Sequence, residues 1–135
     1  VECTEYCGTA HSNMLAKVIV KEPEEFDAWI KTAADPTAGL TPEAAGELLY
    51  KKFACNTCHS LDGNKLVGPT FKGVFGREEQ TSGGAVTVDE NYIRESILNP
   101  TAKIVNGFAP AMPTFKGLVS DKDIENIIAF IKTQK

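Results

Sequence analysis

Cys55, Cys58 and His59 are the side chains of this sequence best placed to do chemistry. The run Cys55-Asn56-Thr57-Cys58-His59 sets two thiols three positions apart and follows them at once with an imidazole. A single helical turn brings both sulfurs to one edge of a porphyrin, where thiols add to two vinyl groups. The next residue then projects its ring under the iron. This is the signature of covalent c-type haem attachment, with His59 as an axial ligand. Two other chemistries use paired thiols. A thioredoxin-like redox pair comes with a βαβ pattern, and none is visible. Half of a zinc site needs further ligands downstream, and no Cys or His follows His59.

A second group of ligand-type side chains lies in residues 1–14: Cys3, Cys7, His11 and Met14. Thiolates and a thioether favour copper, and imidazole suits it too. The four cysteines thus fall into two pairs, both in metal-ligand patterns, and neither reads as a disulfide framework.

The rest of the chain must position these groups. Its 135 residues allow one core plus an appendage, and 42% hydrophobic content is ordinary for a folded globular protein. No apolar run approaches the roughly 18–20 residues of a membrane span, so this stretch is expected to make no membrane contact of its own. A net charge of −4 speaks against nucleic acid as a partner. A start at Val1 rather than Met reads as a piece processed or cut from something longer.

Leu15 to Lys21 is rich in β-branched residues and predicts a short strand. Glu22-Pro23 then opens a helix, with acids in the first turn and Phe26, Trp29 and Ile30 on one apolar stripe. The small, Pro- and Gly-containing run after it predicts a linker. The division expected is 1–34, a linker at 35–40, and a main domain at 41–135. Charge splits across it: residues 1–34 carry six acids and three bases, residues 35–135 twelve and eleven. Thr41-Pro42-Glu43 starts a helix that runs into the Cys55 motif. Residues 78–88 predict a polar loop, and 89–98 a helix stopped at Asn99-Pro100. Ser120 caps a last helix with Asp123 at N3 and Ile124, Ile127, Ile128 and Ile131 on its buried stripe. Between these two helices, residues 101–117 form a Pro-bracketed loop around Met112.

From residue 41 onward the chain resembles a class I cytochrome c. The resemblance rests on Cys55-x-x-Cys58-His59, Gly68-Pro69, Arg77, Asn99-Pro100, Ala111-Met112-Pro113, and Gly46 on the first helix facing Phe130 on the last. It implies a mainly α fold, helices packed around one covalent haem c. It also implies that Met112 is the sixth iron ligand, that the Pro69 carbonyl accepts the Nδ1–H of His59, and that Arg77 approaches a haem propionate. Covalent haem in this family implies the periplasm or the outer face of a bacterial inner membrane.

Residues 3–14 resemble the copper loop of cytochrome c oxidase subunit II, C-x-E-x-C-G-x-x-H-x-x-M. Position by position this implies Cys3, Cys7, His11 and Met14 as copper ligands, with the Glu5 carbonyl as another. That family needs one more histidine from an upstream loop of a cupredoxin barrel, and the sequence has only His11 and His59. The loop is therefore read as a remnant, with copper expected only in a full-length parent. The strand and helix over 15–34 would be the end of the cupredoxin domain.

The two resemblances together match subunit II of the caa-type haem–copper oxidases. They imply electron transfer from an external redox protein, through a His/Met-ligated haem, to the dinuclear copper centre of a terminal oxidase in aerobic respiration. The expected partners are the copper domain of the same parent chain and other oxidase subunits. No catalytic residue is assigned to the domain itself. The alternative class is a haem enzyme or gas sensor with a labile sixth ligand. An added distal His or Arg would favour it, and residues 101–117 offer neither.

Overall fold

A computed structural model describes Thr4, Thr9, Asn13, residues 15–33 and residues 35–135. Cys3, Glu5, Cys7, His11 and Met14 lie outside the described residues. The chain divides into two compact units, 1–38 and 39–135.

In the first unit, α1 spans Pro23–Ala33 and carries Glu24 and Glu25 in its first turn. Their carboxylates face the positive end of the helix dipole. Phe26 and Trp29 stack at 5.8 Å, and Trp29 stays 51% exposed. The strand expected over Leu15 to Lys21 is not formed: residues 16–22 adopt no regular structure. A β-branched run gains from extension only where a partner strand is at hand, and the described residues supply none there.

The second unit is built on two crossing helices, α2 (Pro42–Lys52) and α4 (Asp121–Thr133). Thr41 caps α2 by accepting from the Ala44 N–H, with Pro42 in the first turn where its missing donor costs nothing. Ser120 and Asp123 form a reciprocal capping box on α4. The helices approach closely because position 46 has no side chain. A Cβ at Gly46 would lie 2.0 Å from the Asn126 carbonyl oxygen and 2.6 Å from Phe130 Cβ. Leu49 from α2 and Ile124, Ile127, Ile128 and Ile131 from α4 then share one core with Val74, Val88, Ile93 and Ile97.

Helix α3 (Glu90–Leu98) begins at Asp89, whose carboxylate accepts the Tyr92 N–H at 2.7 Å. It packs on α4 through Ile93 and Ile97, and the Glu90 carboxylate accepts from Lys132 across the pair. The polar loop expected over 78–88 is instead a hairpin, β1 (Glu78–Thr81) and β2 (Gly84–Thr87), in antiparallel register from Glu78↔Thr87 to Thr81↔Gly84. Gly84 at φ +105 makes the turn, and the Thr81 hydroxyl closes it by donating to the Gly84 carbonyl and accepting from the Gly83 N–H. The hairpin has little apolar alternation to betray it, because most of its side chains face solvent. Among the described residues no helix is long and apolar enough to cross a membrane.

Candidate haem site

The site starts where α2 ends. Ala54 takes a left-handed conformation, φ 54 and ψ 27. For an alanine this costs on the order of 1–2 kcal/mol. It turns the chain sharply out of α2 into a short 3-10 turn, Cys55–Thr57. Within that turn the Cys55 carbonyl accepts from both the Cys58 N–H (3.1 Å) and the His59 N–H (2.9 Å). The backbone that carries the two thiols and the imidazole is thereby fixed by main-chain bonds, and the Thr57 hydroxyl braces it by donating to the Ala54 carbonyl at 2.7 Å. No disulfide joins Cys55 to Cys58, and burial pushes the Cys55 thiol above its ordinary pKa.

The His59 ring is held on three sides. Its Nδ1 lies 2.7 Å from the Pro69 carbonyl oxygen. A carbonyl only accepts, so Nδ1 carries the proton. Burial lowers the His59 pKa, against the opposing pull of the Pro69 carbonyl, and favours the neutral ring. Nε2 is then left with its lone pair, the state a metal ligand requires. Phe71 stacks on the ring at 4.5 Å. Gly68 covers the third side, where a Cβ would lie 2.6 Å from His59 Cε1. The Tyr50 hydroxyl donates to the His59 carbonyl, and burial raises the Tyr50 pKa, which keeps the donor protonated.

Cys55, Cys58 and His59 line a cavity of about 430 Å³ that Met112 also lines. Ile93, Ile97, Ile127 and Ile131 supply part of its apolar wall. Met112 packs against the same core, half-buried. Its loop is anchored behind it: the Thr114 hydroxyl donates to the Leu98 carbonyl at 2.7 Å and the Phe115 N–H to the Ile97 carbonyl at 3.1 Å. Pro69 lines the cavity as well. Arg77 does not: its Nε donates to Glu79 Oε1 at 2.8 Å, and it is Glu79 that reaches the lining.

Sequence reasoning missed Glu79 and Lys103, which are polar groups on the cavity wall. Lys103 is paired with Glu95 at 2.7 Å, and that bond raises its pKa. A cation between the Asn99-Pro100 stop and Met112 was a usable signal for Lys103. Glu79 gave none, because only the hairpin brings it to the wall.

The volume lies within the usual range for a bound small molecule or cofactor, and the lining is overwhelmingly apolar. Two thiols and a neutral imidazole converge on the cavity, a thioether lines it too, and a glycine is present where any side chain would displace the imidazole. These residues fit a haem. Residues 43–135 match the profile of the cytochrome c family. The chain belongs to that family.

The cytochrome c match makes this an electron-transfer chain of mainly α, class I fold; the family binds haem c covalently, and Cys55 and Cys58 fit its attachment motif. Relatives extend the likeness beyond the haem domain. Cytochrome c oxidase subunit 2 of Alkalihalophilus pseudofirmus is 30% identical over 139 residues, covering 99% of this chain and 38% of that protein. Subunit 2 of Bacillus subtilis is 32% identical over 65 residues, 47% of this chain and 18% of that protein. Cytochrome c2 iso-1 of Magnetospirillum fulvum is 29% identical over 92 residues, 60% of this chain and 91% of that one. The chain thus spans well under half of the subunit 2 proteins it matches. The first alignment runs through both units, as a cytochrome c joined to a subunit-2-like segment would.

Proposed function

We propose that this chain accepts electrons from an external redox protein and passes them to a dinuclear copper centre serving a terminal oxidase in aerobic respiration. The observation that carries the reading is the placement of Cys55, Cys58, His59 and Met112 on one apolar cavity. Haem c supplies a one-electron couple between ferric and ferrous iron. In this reading His59 would hold the iron through Nε2 and Met112 through its thioether. With both bound, no position would be left for oxygen or a substrate. The Pro69 carbonyl fixes the His59 tautomer and raises its basicity. The apolar lining disfavours the extra charge of oxidised iron, and thioether ligation favours the reduced state, so both push the potential upward.

Cys3, Glu5, Cys7, His11 and Met14 belong, in this reading, to a copper loop that binds copper only in the full-length parent. The parent's copper domain and other oxidase subunits are the partners, on the outer face of a bacterial inner membrane. Attachment to one polypeptide gives haem domain and copper domain a high effective concentration, so transfer between them needs no strong docking surface.

The test is the optical spectrum of the oxidised protein with and without cyanide, in the wild type and in Met112→Ala. The expected result is an iron–thioether charge-transfer band in the red with slow cyanide binding, and in the variant no band and fast binding. A high-spin wild-type spectrum with immediate cyanide binding would mean an open iron, and peroxidase or gas-sensing chemistry would then replace electron transfer.

A further inference from the structure

The two ligand-bearing segments meet at one polar contact. Lys65 Nζ donates to the Gly107 carbonyl at 3.0 Å and lies 4.5 Å from the centre of the Phe108 ring. Among the described residues this is the one hydrogen bond between residues 54–76, which hold His59, and residues 100–117, which hold Met112.

Both ends of the contact are preset. On the Lys65 side, the Asp62 carboxylate accepts from the Asn64 N–H (2.9 Å) and from the Asn64 amide (2.6 Å). Ser60 Oγ donates to the Asn64 carbonyl at 2.6 Å, and the Gly63 N–H to Thr70 Oγ1 at 3.2 Å. Such side-chain-to-backbone bonds rigidify a turn, so Lys65 leaves a fixed base. On the other side, the Asn106 N–H donates to the Gln80 carbonyl (2.8 Å) and the Phe108 N–H to the Val105 carbonyl (3.2 Å). Gly107 turns at φ +84, a conformation that glycine adopts freely. Phe108 lines the cavity. One exposed ammonium on one carbonyl gains little against water. Here the same ammonium also lies over an aromatic face, and the Phe108 ring it touches stands four residues before Met112.

We propose that Lys65 is a positioning residue that acts through the Met112 loop. By latching Gly107 and Phe108 to the loop after His59, it keeps the thioether seated. The proposal rests on the His/Met reading above.

The test uses the full-length holoprotein in wild-type, Lys65→Met, Lys65→Arg, Met112→Ala and Lys65→Met/Met112→Ala forms, with haem content checked in each. The readouts are the thioether charge-transfer band and the rate of cyanide binding to oxidised protein. Lys65→Met keeps the apolar stem and removes the donor, and should bind cyanide ~3–10-fold faster than wild type. Lys65→Arg should restore a rate near wild type. In the Met112→Ala background the Lys65 change should add nothing. A wild-type rate in Lys65→Met, or the same acceleration with and without Met112, overturns the latch while leaving the His/Met reading intact. Absence of the band in the wild type overturns both.

Discussion

The two walls of the haem cavity are held in different ways. On the His59 side, main-chain bonds do most of the work. Cys55 O binds two successive N–H groups, Gly68 N–H reaches the Cys58 carbonyl at 2.9 Å, and Phe71 N–H reaches the Ser60 carbonyl at 2.8 Å. The ring itself is bonded, stacked and covered. On the Met112 side the backbone is shaped by Pro110 and Pro113, which fix φ, by the Ala111 N–H turned back on the Ala109 carbonyl, and by anchors to α3 at Thr114 and Phe115. Met112 meets the core through apolar packing. The chain thus sets the His59 imidazole as a rigid part of the fold and presents the Met112 thioether, the other ligand in the reading proposed above, on a segment held mainly at its ends. The second is where an exogenous ligand should compete.

The largest expected effect should strike both walls at once. Gly46→Ala puts a methyl group 2.0 Å from the Asn126 carbonyl oxygen, where only backbone can yield. It should cost about 3 kcal/mol, the upper end of overpacking, read by denaturant unfolding of the holoprotein. A loss below ~1 kcal/mol would mean that the α2–α4 crossing does not support the cavity as described.

Gly68→Ala separates the walls. Its methyl would sit 2.6 Å from His59 Cε1 and 2.9 Å from Nδ1, so the ring or the turn must shift. Stability should fall by ~1–3 kcal/mol while the Met112 loop keeps its anchors to α3. An unchanged unfolding midpoint would show slack around His59 and weaken the contrast between the walls.

The smallest effect concerns α3, to which the Met112 loop is tied. Glu90 is held below its ordinary pKa of 4.5, chiefly by the hydrogen bond from Lys132. A carboxylate lowered on folding adds stability above its unfolded pKa and loses it as pH falls through the folded value. The gap in unfolding midpoint between wild type and Glu90→Gln should therefore be constant from pH 7 to about 5 and shrink progressively as pH falls below the ordinary 4.5. A gap that does not shrink at all as the medium is acidified would mean that the carboxylate charge is not what joins the helices.

Much of this was legible in the chain itself. The attachment motif, the Thr41 and Ser120 caps and the α4 stripe follow from local spacing, since helix geometry and side-chain type determine them within one or two turns. Gly46 could be singled out as a close-crossing position through family likeness. The Asn126 carbonyl that faces it could not, because a backbone atom leaves no sequence signal. The β-branched run at 15–21 misled because strand formation needs a partner the local sequence does not encode. The hairpin at 78–87 was missed for the opposite reason: its strands are short and mostly solvent-facing, so no alternation marks them.

By itself, then, the sequence determined the attachment motif at Cys55 and Cys58, the identity of His59 as a ligand-type residue, and the helices that bear on them. All of these depend on neighbours within a few residues. Only the tertiary structure decided that Met112 shares a cavity with His59, that Glu79 and Lys103 line it, that Arg77 turns to Glu79, and that Lys65 reaches Gly107 across 42 positions. Those meetings depend on how α2, α3 and α4 pack, and packing is a property of the whole core rather than of any window of the chain.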